Sequence, residues 1–154
     1  MSIWAHANGV IMLDGIFFED GDYEESVDIL KKKILGEVIN YGDIVDADAL
    51  VYMPCGSEGS LDYNIVECSG YTNIVICGNL RDYGNLDKLK NWYIDILNKI
   101  EKDTGFYIRE HVFQARVEWG NQIIIYKPHG DSIPYDTLYD FIYTDLNNCG
   151  GGNY

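Results

Sequence analysis

The chain predicts an α+β fold: a mainly antiparallel sheet with two helices packed on one face. The closest simple plan is ferredoxin-like, β-α-β-β-α-β, with extra strands and a short C-terminal helix. Two observations predict it. Two segments, 23–39 and 86–104, carry apolar residues at helical spacing. Each of them follows a segment with strand patterning and returns to one, so the full order reads β-α-β-β-β-α-β-β-α. The 154 residues, 47% hydrophobic and 14% aromatic, supply core for a single domain. That domain is expected over 1–146, with 147–154 as a flexible glycine-rich tail.

Residues 2–13 read as the first strand. They are mostly apolar, which places the strand centrally with both faces covered. Gly9 suggests a bulge or the close approach of another backbone. Glu19-Asp20-Gly21-Asp22 forms a turn; Asp22 caps the first helix, and Glu25 three residues later completes a capping box. Val27, Leu30, Ile34, Leu35 and Val38 then recur at helical spacing, so this helix is expected from Tyr23 to Ile39. Glu24, Glu25 and Asp28 sit early in it and Lys31 to Lys33 later, an order that suits the helix dipole.

Asp48 to Met53 reads as a strand, and Pro54 to Ser60 as a loop. Leu61 to Cys68 alternates as a half-buried strand does. Ser69-Gly70 turns the chain into a short buried strand from Thr72 to Gly78. Asn85 caps the second helix, whose apolar stripe is Leu86, Leu89, Tyr93, Ile96, Leu97 and Ile100, with Gly105 in the C-cap position. Phe106 to Trp119 is a long strand. Tyr107, His111, Phe113, Ala115, Val117 and Trp119 share one face, and Arg109, in register with them, interrupts it. Glu110, Gln114, Arg116 and Glu118 lie mainly on the other face. Gly120-Asn121 signals a two-residue hairpin, with Gln122 to Tyr126 as the returning strand. After a break at Lys127 to Asp131, Tyr135 to Leu146 is expected to be a short helix, with Pro134 tolerated near its start.

Charge narrows the function. The net charge is −14, which disfavours direct binding of nucleic acid or of an anionic membrane surface. Residues 1–80 hold 14 acids against Lys31, Lys32 and Lys33; residues 81–127 are near neutral; residues 128–154 hold four Asp and no Lys or Arg. The excess therefore lies in the first half and in the tail. It serves solubility in one reading and recognition of a basic partner in the other. No basic, apolar leader opens the sequence, and no run of apolar residues is long enough to span a membrane, so a reducing cytoplasm is expected. Cys55, Cys68, Cys77 and Cys149 show no metal-ligand spacing and read as buried, reduced thiols; His6, His111 and His129 are scattered. No metal and no cofactor is expected.

Three groups of residues are candidates for function. The first is the acidic cluster Glu19, Asp20, Asp22, Glu24, Glu25 and Asp28. It lacks the register of a calcium loop and reads either as a solvated helix start or as a partner-binding face. The second is the C-terminal row Tyr135, Tyr139 and Tyr143 with Asp136 and Asp140. Tyrosine offers large contact area at low entropic cost, so this row either anchors a partner or a second copy of the chain, or covers the chain's own sheet. The third is the loop Gly56, Ser57, Gly59 and Ser60 with Arg81 and Asp82, an alternative site for a small ligand such as a nucleotide. It lacks the lysine and the following helix of a P-loop.

Three segments carry a resemblance. They are Ile3-Trp4-Ala5-His6-Ala7-Asn8-Gly9-Val10-Ile11, Cys55-Gly56-Ser57-Glu58-Gly59-Ser60-Leu61 and Gly78-Asn79-Leu80-Arg81-Asp82-Tyr83. Together they resemble small bacteriophage and prophage accessory proteins of Gram-positive hosts, over about half the chain. The wealth of Ile, Asn, Tyr and Lys fits an AT-rich genome. The resemblance implies an inhibitor of host defence such as an anti-CRISPR protein, which offers carboxylates where a host nuclease expects phosphates; it maps no functional residue onto this chain. The expectation is thus a non-enzymatic binding protein whose partner is a basic, nucleic-acid-handling host protein, in the host cytoplasm. The alternatives are a nucleotide-sequestering module and a self-associating structural phage protein, a homodimer through the tyrosine row.

Overall fold

The first strand, β1 (Trp4–Asp14), is hydrogen-bonded along both of its edges. The computed structural model describes residues 2–15, 18, 22–39, 51–118, 122–128 and 139–145, the last two segments as backbone. On one side β1 pairs with β3 (Tyr71–Arg81), on the other with β4 (Tyr107–Val117), so Val10 stands opposite Val75 and Val112 at once. β2 (Leu61–Cys68) pairs with β3 across the Ser69-Gly70 turn, where both residues adopt positive φ. β5 (Gln122–Pro128) and β6 (Tyr139–Asp145) extend the sheet beyond β4. The order is β2-β3-β1-β4-β5-β6, with every neighbouring pair antiparallel.

α1 (Asp22–Ile29) runs on into a π-helical segment, Leu30–Leu35, whose i to i+5 geometry ends in a bond from the Gly36 N–H to the Lys31 carbonyl at 3.0 Å. Gly36 takes φ +82°, and a Cβ there would lie 2.2 Å from the Val51 carbonyl oxygen. The helix therefore stops where the chain must turn under residues 51–53. α2 (Leu86–Asp103) begins as expected: the Asn85 side chain accepts from the Asp87 N–H at 2.9 Å. The whole predicted stripe, Leu86 to Ile100, is buried.

These helices and one face of the sheet enclose the core. Ala5, Ala7, Ile11 and Leu13 of β1, Ile74, Ile76 and Leu80 of β3, and Phe113, Ala115 and Val117 of β4 cluster with the α2 stripe and with Leu30, Ile34 and Leu35. Each large aliphatic side chain fully withdrawn from water contributes about 1.5–3 kcal/mol. Where β1 meets β4 the packing is closest. Gly9 faces Phe113, and a Cβ on Gly9 would lie 2.6 Å from the Val112 carbonyl oxygen and 2.9 Å from Phe113 Cδ2. The room left by glycine lets the Phe113 ring lie flat beneath Tyr93, with centroids 4.5 Å apart and planes 15° apart.

The structure departs from the sequence reading in several places. β1 and β3 are covered on one face only; Asn8 and Val10 are exposed, as are Val75 and Cys77, because both helices pack on the other side. Of the expected strand at 48–53, residues 48–50 lie outside the described residues, and Tyr52 forms a single parallel bridge to Glu37. Gly105 is not a left-handed cap. Thr104 closes α2 by donating its hydroxyl and its N–H to the Ile100 carbonyl, and Gly105 instead leaves space for the Phe18 ring. The interruption at Arg109 is a bulge: Met12 pairs with Glu110 but Leu13 pairs with Ile108, so Ile108 points inward and Tyr107 outward. Residues 139–145 form β6 where a helix over 135–146 was expected. The run Tyr-Asp-Phe-Ile-Tyr-Thr-Asp is aromatic and β-branched, and the outer edge of β5 offers it hydrogen-bond partners. The tail 147–154 and the Gly120-Asn121 turn lie outside the described residues.

The Gly9 contact makes a direct prediction. Gly9→Ala forces a methyl against backbone and an immobile ring, so it is expected to lower unfolding free energy by about 1–3 kcal/mol in urea denaturation. An unchanged midpoint would show that β1 and β4 are not so closely apposed.

Candidate functional site

The uncovered face of the sheet presents side chains in cross-strand rows. One row is Asn79, His6 and Arg116; the next is Asp62, Cys77, Asn8 and Gln114; the third is Asn64, Val75, Val10 and Val112. Alternation along each strand and antiparallel pairing place these residues on the same side. His6, Asn8, Gln114, Ala115 and Arg116 line a hollow of about 410 Å³ on this face.

His6 is the fixed point of the hollow. Its Nδ1 lies 2.5 Å from Asn79 Oδ1 on β3, and its Nε2 lies 2.7 Å from Glu118 Oε1 just past β4. Both partners are acceptors when the amide is oriented as it is, so both ring nitrogens are best used as donors, which is the imidazolium form. The Asn79 bond, then the Glu118 bond, raise the His6 pKa above 6.5; partial burial and the neighbouring Arg116 oppose them. Arg116 forms no ion pair among the described residues. Gln114 Nε2 donates to Asn8 Oδ1 at 2.9 Å.

His111, on the covered face, behaves in the opposite way. It is 5% exposed, its Nδ1 lies 3.1 Å from the Tyr93 hydroxyl, and burial pushes it down to about 4.

The loop proposed for a small ligand is brought together with Arg81 and Asp82, and its polar groups bond to one another. The Gly56 N–H donates to the Gly59 carbonyl and the Ser57 N–H to the Arg81 carbonyl, each at 3.0 Å; the Arg81 N–H donates to the Glu58 carbonyl at 2.9 Å. The Arg81 guanidinium donates to Glu58 Oε2 at 2.7 Å and to the Ser2 hydroxyl. The Ser57 hydroxyl donates to Asp82 Oδ2 at 2.7 Å and holds that carboxyl below its usual range; the Ser60 hydroxyl reaches the Pro54 carbonyl at 3.2 Å. Gly56 and Gly59 are needed because a Cβ on either would fall within 2.2 Å of backbone on β3. The segment clasps the end of β3, and the Gly56 and Ser57 amides are spent within that clasp.

Of the acidic cluster, Asp22, Glu24, Glu25 and Asp28 are exposed along α1, with Asp28 paired to Lys32 at 2.9 Å. Glu19 and Asp20 lie outside the described residues, as do Tyr135 and Asp136. Tyr139, Asp140 and Tyr143 fall in β6, in register with Pro128, Lys127 and Ile124. Cys55, Cys68 and Cys77 are free thiols and exposed, contrary to the expectation of burial: Cys77 falls on the open face by strand alternation, and Cys55 and Cys68 lie at a loop and a strand end. Among the described residues no three His, Cys, Asp or Glu side chains gather as a metal site, and no helix is long and apolar enough to cross a membrane.

The sequence reading missed the His6 hollow. The His6-Ala7-Asn8 and Gln114-Ala115-Arg116 alternations, polar against alanine, are its only sequence signal, and nothing local pairs those two strands. No protein-family model, curated protein or solved structure matches this chain.

The two histidines predict opposite pH dependence. His111 is neutral when folded and titrates near 6.5 when unfolded, so the unfolded chain binds more protons between those values. Its contribution to stability is complete above about pH 6.5 and falls by about 3 kcal/mol as pH drops to about 4. His111→Gln is expected to flatten that part of the stability–pH curve in urea titrations. His6, with its pKa raised, stabilises below about pH 6.5 and loses that contribution as pH rises through its folded value. NMR titration of its ring protons is expected to show a midpoint above that of His6 in the Glu118→Gln variant.

Proposed function

We propose that this chain is a non-enzymatic acidic binding protein, encoded by a phage, that inhibits a basic, nucleic-acid-handling protein of host defence. The observation that carries this reading is the placement of carboxylates. Asp22, Glu24, Glu25 and Asp28 are all exposed within the length of α1. Seven helical residues span about 10 Å, which gives a charge spacing of the same order as the one charge per about 1.7 Å of duplex DNA. Lys31 to Lys33 follow only after the helix has passed into its π-helical segment.

The phage origin rests on the three segments of sequence resemblance, and action in the host cytoplasm goes with it. Anti-CRISPR proteins are the kind of inhibitor meant. The scaffold belongs to the same reading: the order β2-β3-β1-β4, with one helix after β1 and one after β3, supports a ferredoxin-like plan for the first four strands.

Immobilised protein is expected to retain a basic nucleic-acid-binding protein from a Gram-positive host lysate at low salt. Duplex DNA should compete that protein off, and about 1 M salt, where the Debye length is about 3 Å, should release it. Asp22→Asn, Glu24→Gln, Glu25→Gln and Asp28→Asn together should cut retention by about tenfold or more. Retention indifferent to salt, to DNA and to the four substitutions would overturn the reading.

A further inference from the structure

The hollow on the open sheet face lies on the opposite side of the sheet from the core that α1 and α2 cover, so it is a surface apart from the acidic helix. Its polar groups are not equally engaged. His6 has both ring nitrogens committed to Asn79 and Glu118, and it brings charge without a spare donor. Arg116, its cross-strand neighbour, is exposed and forms no ion pair among the described residues. Gln114 spends one amide hydrogen on Asn8 Oδ1, which leaves the Asn8 amide nitrogen as a donor beside Arg116. With His6 protonated and Glu118 ionised, the group formed by His6, Glu118 and Arg116 carries a single net positive charge. In a chain of net charge −14 that positive charge is confined to the surroundings of Arg116: Asp62 stands two strands away in the Asn8 row, and Glu110 lies beyond Val112. The carboxylates of α1 lie beyond the sheet, and at physiological ionic strength a Debye length of about 8 Å screens them.

The apolar side of the surface adjoins this charge. Val10 and Val112 are cross-strand partners and are 37% and 46% exposed, with Val75 beside Val10 at 38%. They stand two rows beyond Arg116, separated from it by the Asn8–Gln114 row. Four residues along a strand cover about 13 Å, the length of a medium-chain carboxylic acid. One cationic fork, flanking amide donors and a valine strip in line make an address for an anionic head with an apolar body. A single net positive charge suits a monoanion, and a planar guanidinium suits a carboxylate, which it can meet with two parallel hydrogen bonds.

We propose that the hollow between β1 and β4 is a binding site for a small amphipathic carboxylate, its head on Arg116 and Asn8 and its apolar chain laid over Val10 and Val112. Asn79 and Glu118 position His6, which adds charge beside the head.

Octanoate and octan-1-ol, equal in chain length and different in head group, are the probes. Octanoate is expected to bind saturably to the whole chain, with amide shifts in NMR spectra confined to His6, Asn8, Val10, Val112, Gln114 and Arg116. Octan-1-ol is expected to bind at least about tenfold more weakly, and Arg116→Gln should bring octanoate down by about the same factor without changing octan-1-ol. Arg116 is exposed, so that variant should keep a dispersed spectrum. Val112→Ser provides a second test by weakening octanoate from the apolar end. Shifts that scatter over the surface without saturating, equal binding of the two probes, or octanoate binding unchanged in Arg116→Gln would each overturn the proposal.

Discussion

The contact between Gly9 and Phe113 sets the terms for the rest of the molecule. β1 must pair on both edges while one of its faces accepts a helix. Directly opposite its midpoint stands the largest ring on the covered side of β4. With no side chain at Gly9, the Phe113 ring folds back over β1 and becomes the surface on which Tyr93 stacks. That stack fixes α2 against β4, and α2 in turn brings the Tyr93 hydroxyl to His111. Trp92 flanks the same ring, at a centroid distance of 6.1 Å. One missing methyl group thus governs sheet pairing, helix docking and the burial of a histidine, because interiors packed at crystalline density transmit small volume changes.

The second organising fact is that helices cover only one side of the sheet. Strand alternation then sorts residues into two chemistries without any further device. The covered side receives Ala5, Ala7, Ile74, Ile76 and Phe113, and the other receives His6, Asn8, Cys77, Gln114 and Arg116. The bulge at Arg109 lets β4 obey this rule along its whole length although its sequence changes phase. The displaced Arg109 leaves the ladder, with its Nε 4.0 Å from Asp14 Oδ2 and its guanidinium 5.9 Å from the centre of the Tyr71 ring. At the far end of β3, the clasp of residues 56–60 holds Arg81 and Asp82 in place, so a segment whose composition suggests phosphate binding acts as a strap.

The two surfaces so produced differ in charge pattern as well as in shape. Carboxylates line α1 on the outside of the covered side, while the bare sheet face carries a cationic pair beside exposed valines. The α1 carboxylates are kept from Arg116 and from the His6–Glu118 pair by the thickness of the layers between them: stacked layers lie about 10 Å apart, beyond one Debye length at physiological salt.

How much of this was legible depended on the range of the interaction. α2 is legible at its cap and along its stripe, because capping and i, i+3, i+4 spacing are local. β2 and the Ser69-Gly70 turn are legible for the same reason. The C-terminal segment is not: tyrosines four apart match a helix, but the same seven residues are good strand formers, and the available edge of β5 decides between them. An apolar strand such as β1 cannot report how many layers the rest of the chain will provide, so one covered face reads as two. The exposure of Cys77 follows from that same error. The helix or strand type of the elements from β1 to β5, the α+β class and the excess of negative charge were set at the level of sequence, since all of them rest on near neighbours or on composition. The assembled sheet alone decided that His6 meets Asn79 and Glu118, that Arg116 lies beside His6 and that Gly9 lies against Phe113, because pairing between strands more than 60 residues apart is fixed by the whole core and by no segment alone.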